Sequence, residues 1–208
     1  MAEKPGRMGV GFLLAWLLVN ILGWVVASFL HHALVAIFVW SGYISGFAVG
    51  AIIGVVQWLV LKNRILKADQ ASRWIGGTAV GWGIGWIVTA ILSLQYDKYG
   101  FIIGTAATGS LIGMIQSLLL TPVIPRTWVL VPISTFAMAF SFSIGMGSNM
   151  AVMTIPVPGI VINGATMGLG GALYGVVSGF TLLLLLERED WSRTRREARQ
   201  KQQDAETL

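Results

Sequence analysis

The sequence predicts an all-α integral membrane protein: six transmembrane helices in three repeated helical hairpins, with both termini in the cytoplasm. Three observations lead there. Of 208 residues, 55% are hydrophobic and 11% charged, with a mean hydropathy of +0.75. A soluble domain carries about a quarter charged residues, so most of this surface must meet lipid. Second, Asp, Glu, Lys and Arg are missing from 8–61, 74–96, 99–125 and 127–186, and one crossing takes roughly 20 apolar residues. Third, Gly42, Gly46, Gly50 and Gly54 recur at every fourth position, with Gln57 three residues on. The phrase returns as Gly109, Gly113 and Gln116, and again as Gly171, Gly175 and Ser178.

Taken in order, Lys4 and Arg7 ahead of an apolar run imitate a signal peptide. The run is longer than a signal-peptide core, so it reads as a retained anchor and first crossing over 8–30. The second crossing takes 41–61, which leaves His31 and His32 in an outer connection. The third and fourth take 74–94 and 100–120, and Pro122 and Pro125 close the fourth because proline cannot continue a helix. The fifth takes 128–147, started or kinked by Pro132, and the sixth takes 160–186 after a connection stiffened by Pro156 and Pro158. The hairpins therefore cover 8–61, 74–120 and 128–186 of a transmembrane domain at 1–186. A charged tail at 187–208 follows, either a solvated helix or a disordered segment lying along anionic lipid.

Orientation comes from the cations. Lys4, Arg7, Lys62, Arg64, Lys67, Arg73, Arg126 and the tail arginines fall on one side, and Lys98 falls on the other. The positive-inside rule makes the first side cytoplasmic, in a cell inner membrane or a thylakoid membrane. The net charge of +5 thus marks topology and anionic-lipid contact, not nucleic-acid binding. Trp40, Trp58, Trp74 and Trp128 stand at the ends of crossings, where an indole reaches the headgroups.

Glycine at every fourth position clears a helix face, and close backbone approach drives association in lipid. Gly77, Gly81 and Gly85 carry a stripe on the third helix, and Gly171, Gly175 and Gly179 one on the sixth. These stripes read as helix-packing faces; the sharper reading is a narrow pore or a seat for a flat ligand. Ile53, off the stripe, reads as lipid-facing. The segments Gly23–Ala27 and Gly85–Thr89 echo one another at an offset of 62 residues, close to the 59 between Gln57 and Gln116. Hence the hairpin is the repeat unit.

No Asp, Glu, Lys, Arg or His lies in the predicted crossings, which argues against ion-coupled transport and carboxylate chemistry. There is no cysteine, so disulfides and thiol catalysis are excluded. Two adjacent histidines are too few for a metal site. No phosphate loop, nucleotide fingerprint or G-x-S-G occurs. The chain reads as a non-enzyme that needs no cofactor. Neutral polar residues remain: Asn20, Gln57, Gln116, Asn163 and Ser178. They serve interhelical hydrogen bonds, or some of them, with His31 and His32, hold a solute or the magnesium of a pigment; chlorophyll and carotenoid are the pigments considered.

The G-x3-G-x2-Q-W-L-V-L-K phrase, the short basic loop after it and the G-W-x-x-G-W of 81–86 resemble uncharacterised polytopic membrane proteins common in cyanobacteria and filamentous green bacteria. The resemblance covers the second to fourth helices and implies a photosynthetic membrane but no activity. Size and helix count also resemble the substrate-binding component of vitamin-type energy-coupling transporters. Two functions follow. One is an accessory or assembly subunit packing bare glycine faces against other membrane proteins. The other is a binding or passage module for a small neutral or amphipathic molecule, with its site between hairpins among Asn20, Gln57, Gln116, Asn163 and the tryptophans.

Overall fold

The computed structural model describes residues 9–37, 41–62, 65–66, 70–152 and 159–206. The fold is all-α, with five helices long and apolar enough to cross a membrane: α1 (Val10–Ile37), α2 (Ser41–Leu61), α3 (Ala71–Leu120), α4 (Leu130–Val152) and α5 (Gly159–Glu206). A single turn of 3-10 helix, Thr127–Val129, leads into α4. Lys4, Arg7, Trp40, Arg64, Lys67, Pro156 and Pro158 lie outside the described residues.

Several boundaries differ from the sequence reading. α1 runs to Ile37, so His31 and His32 sit on a helix and not in a connection. Nothing in Leu30–Ile37 breaks a helix: there is no proline or glycine, and the residues around the pair are apolar. α5 continues from its apolar stretch through the charged segment to Glu206 without a break, because that segment is rich in Glu, Arg and Gln, which favour helix. Pro132 falls in the first turn of α4, where its missing N–H would have had no intrahelical partner.

The third and fourth predicted helices form one element, α3, whose backbone is non-helical at Tyr96 and Asp97. Unbroken, its 50 residues would run about 75 Å at 1.5 Å per residue. Beyond the break the chain instead runs back along its first half. Gly85 lies against Thr108, Gly81 against Ile112 and Gly77 against Ile115, and Thr89 Oγ1 meets Thr108 Oγ1 at 3.1 Å.

Each helix packs on the next, and α5 returns to α1 to close a ring. The glycine stripes make these contacts. Gly46, Gly50 and Gly54 of α2 lie against Trp86, Trp82 and Ile75 of α3; Gly109 and Gly113 lie against Ser134 and Leu130 of α4; Gly171, Gly175 and Gly179 lie against Asn20, Leu17 and Trp16 of α1. Gly42 belongs to α2, but its surroundings are outside the described residues. Ile53, read as lipid-facing, is 1% exposed. The stripe faces α3, so the residues one position before each glycine (Ser45, Val49, Ile53) turn to the middle of the ring. Ile44, Val55 and Leu59 are the exposed ones among the residues whose burial is described.

The ring's two ends differ. At the end carrying the start of α1, Phe12, Trp16, Leu61, Trp74, Leu120 and Leu182 form one buried cluster with Ile65, Leu66 and Ile124. The last three come from the connections after α2 and α3, which fold under the bundle and seal it. Trp74 is 1% exposed and belongs to this seal, contrary to its reading as a headgroup anchor. Trp128, 67% exposed, does stand at a rim.

Candidate functional site

At the opposite end the middle of the ring is hollow. A half-enclosed cavity of ≈ 50 Å³ is lined by Trp24, Ala27, Ser28, His31 and His32 of α1, Ser45, Val49 and Ile53 of α2, Trp82 and Trp86 of α3, Phe142 of α4 and Met167 of α5. All five helices contribute, so only the closed ring creates it. Its floor is aromatic. Trp24 meets Phe142 at 5.3 Å between centroids and Trp82 edge-on at 5.4 Å, and Phe142 also meets Trp86 at 6.2 Å; edge-to-face and tilted pairs at such distances are the favoured ones. His31 lies edge-on to Trp86 at 5.6 Å.

The polar groups around this cavity are unevenly satisfied. His31 Nδ1 is 2.7 Å from Ser45 Oγ. His32 donates from Nδ1 to the Ser28 carbonyl at 2.8 Å, which leaves Nε2 to face the Asn163 amide at 2.9 Å. That fixes the His32 tautomer and ties α1 to α5. The Trp24 indole N–H, on a residue 3% exposed, has no hydrogen-bond partner among the described residues. A buried donor left without an acceptor costs free energy, and this one is covered by protein and does not open on the cavity.

Beneath the aromatic floor the structure gathers the other polar residues named from the sequence. Gln57 Nε2 donates to Asn20 Oδ1 at 2.9 Å, Gln116 Nε2 donates to Gln57 Oε1 at 3.4 Å, and the Tyr174 hydroxyl donates to Gln116 Oε1 at 3.4 Å. Asn20 Nδ2 donates to the Trp16 carbonyl at 2.8 Å, Trp16 Nε1 to Ser178 Oγ at 3.0 Å, and Ser178 Oγ to the Tyr174 carbonyl at 2.6 Å. The chain of bonds closes on itself across α1, α2, α3 and α5. Asn20, Gln57 and Ser178 are 0%, 1% and 2% exposed, so these polar groups are satisfied within the bundle as hydrocarbon surroundings require.

The candidates thus divide into two layers. His31, His32 and Asn163 belong to the cavity end, whereas Asn20, Gln57, Gln116 and Ser178 belong to the polar chain below it. Phe142 and Tyr174 were missed as site residues, and the tryptophans were named only as a class, of which Trp24, Trp82 and Trp86 reach the cavity. The available signal was Tyr174, the one phenol in the apolar part of α5, and the two Gly-Trp echoes that place Trp24 and Trp86. Among the described residues no three His or carboxylate side chains come together as a metal site would need. Comparison with protein-family models, curated proteins and solved structures finds no match for this chain.

Proposed function

We propose that this chain is a non-enzymatic, multi-pass membrane cup that binds a small neutral or amphipathic molecule in the aromatic cavity at one end of the ring. The carrying observation is the contrast between the two ends: a hollow lined by three tryptophans, a phenylalanine and two histidines at one, an apolar seal at the other. A cup closed below suits capture and presentation better than free passage.

The ligand's chemistry follows from the lining. A flat or apolar body fits between Trp24, Trp82, Trp86 and Phe142. His31 Nε2, which makes no hydrogen bond among the described residues, serves as the polar contact. About 50 Å³ accommodates a headgroup of several heavy atoms or a few waters. It does not accommodate a chlorin ring, so magnesium ligation by the histidines inside the cavity is not supported. The glycine faces that would dock an accessory subunit are filled from within the chain at every position described, except Gly11, Gly76 and Gly159, which carry no stripe.

In this reading the break at Tyr96–Asp97 makes α3 a hairpin. The halves of α3, with the pairs α1–α2 and α4–α5, are then the three repeats and six crossings, with the sealed, cation-bearing end cytoplasmic. Mass spectrometry of small molecules extracted from gently purified protein tests the function. The wild type should carry one stoichiometric compound, and His31→Leu, which removes the polar contact at the cavity, should lose most of it while still folding. A wild type with no bound compound, or His31→Leu retaining it fully, would sink the proposal.

A further inference from the structure

The α1–α5 seam is held differently at its two ends. Toward the sealed end Trp16 donates to Ser178, and both are buried. At the mouth of the cup Phe29 lies against Gly164 and Val25 against Gly168, and half-buried His32 meets half-buried Asn163 at 2.9 Å. His32 uses both ring nitrogens. The Ser28 carbonyl, 2.8 Å from Nδ1, can only accept, so Nδ1 carries the proton; the Asn163 Nδ2 can only donate, so Nε2 is bare. Only the neutral imidazole satisfies both contacts. A proton added at Nε2 sets two donors face to face at 2.9 Å. Turning the Asn163 amide over would offer its oxygen instead, but the imidazolium would still lie in a half-buried seam without an anion to offset it. His31 instead faces the Ser45 hydroxyl at 2.7 Å, which both donates and accepts, so its bond survives a change of charge.

The surroundings supply little charge. The titratable groups of the packed elements are Tyr43 at the start of α2 and, around the break in α3, Tyr96, Asp97, Lys98 and Tyr99; α4 brings none, and α5 brings none before Tyr174 beneath the floor. Asp97, the one carboxylate in this set, is eleven residues beyond Trp86, about 16 Å along the helix at 1.5 Å per residue, and it is Trp86 that touches His31. The His31 ring stands 5.7 Å from that of His32, so two imidazoliums there would repel.

We propose that the His32–Asn163 contact is a proton-sensitive latch on the cup: with His32 neutral it holds the α1–α5 seam closed at the mouth, and protonation opens the seam and releases the ligand. The release rests on the cup reading above; the response of the seam does not. The closing contact belongs to the neutral ring, so it is present at the upper end of the range over which histidine ordinarily titrates, about pH 5–8, and is lost as pH falls.

The chain has no cysteine, so spin labels can be placed in pairs. Val35→Cys with Val161→Cys puts one label on each helix at the mouth, and Leu14→Cys with Phe180→Cys does the same nearer the sealed end; all four residues are exposed. In full-length protein in phosphatidylcholine vesicles, the interspin distance of the mouth pair, read by pulsed electron paramagnetic resonance, should lengthen and broaden reversibly from about pH 8 to about pH 5. That of the Leu14–Phe180 pair should not change. His32→Gln, which keeps an amide to pair with Asn163 and does not titrate, should abolish the response, and His31→Gln should keep it. An unchanged mouth distance in the wild type, equal changes in both pairs, or a response that survives His32→Gln would each overturn the latch. In unlabelled wild type the retained compound should fall about tenfold over the same range, as the loss of one buried bond predicts. Full retention while the seam opens would overturn the latch's control of the ligand and leave the cup standing. A wild type with no compound at either pH would overturn the release together with the cup, and the spin-label distances decide the seam on their own.

Discussion

Gly50→Ala adds one methyl group where the structure has no room for it. A Cβ there falls 2.6 Å from Trp82 Cβ, 2.7 Å from the Thr78 carbonyl oxygen and 2.8 Å from Ala79 Cα. Carbon contacts settle at about 3.5–4.0 Å, and a gap of 0.5–1 Å forfeits a quarter to a half of each contact's attraction. Two of the three obstacles are backbone, and Trp82 is itself braced by Trp24 and Phe142, so α2 must retreat from α3 by roughly 1 Å along that face. Overpacking of this kind costs about 1–3 kcal/mol, and the upper half of that range applies where nothing flexible can yield. The gain in helix propensity returns about 0.5–1 kcal/mol, for a net loss of about 2 kcal/mol. Gly76→Ala is the matched control: it lies on the facing helix α3, exposed, with nothing within 4 Å of an added Cβ. It should show only the propensity gain. The assay is detergent-driven unfolding in mixed micelles, followed by tryptophan fluorescence for packing and far-ultraviolet circular dichroism for helix. A Gly50→Ala midpoint indistinguishable from that of Gly76→Ala would refute the claim that this stripe sets the α2–α3 distance.

Gln57→Leu removes both a 2.9 Å and a 3.4 Å bond and strands Asn20 Oδ1, so in the same unfolding assay it should cost about 2 kcal/mol, against about 1 for Gln116→Leu, whose two bonds are both 3.4 Å. The double variant should lose less than the sum, because the two share a bond. Asp97 adopts φ 51°, ψ −133°, a backbone that L side chains rarely adopt and glycine adopts readily; Asp97→Gly should raise the unfolding midpoint by about 0.5–1 kcal/mol equivalent, and a lowered midpoint would show that the carboxylate does something there. A reporter fused after Leu208 should read cytoplasmic and one inserted at Asn149 external; the opposite result would invert the charge argument.

The membrane class and the long helices were legible because charge-free stretches of this length have one common use. The stripes were legible as packing faces, and pairing Gly46, Gly50 and Gly54 with α3 needed only the rule that neighbours in sequence pack together. What composition could not give was the neighbour's identity on the third side. Ile53 looked like a lipid residue because no polarity separates a ring's interior from its exterior when both are apolar. His31 and His32 looked like loop residues because they are polar in an apolar run, yet α1 simply extends past them. The cavity was illegible for a related reason: Trp24, Trp82 and Phe142 come from three helices, and their meeting depends on where the ring closes. Gln57 and Gln116 were the exception. Their shared place after a glycine turned out to be a shared depth, and at 3.4 Å they touch.

Contacts between successive helices are all local in sequence, and one seam is not. α1 meets α5 through Gly171, Gly175 and Gly179, and Trp16 meets Ser178 across 162 residues. During synthesis Asn20 acquires Gln57 as soon as α2 emerges, but the Trp16 indole waits for nearly the whole chain. Until then α1 presents a polar seam to hydrocarbon. Ring closure is therefore the late, length-dependent event of biogenesis. A chain stopped before α5 would be an open arc with an unsealed edge on α1, a natural substrate for insertion factors and quality-control proteases.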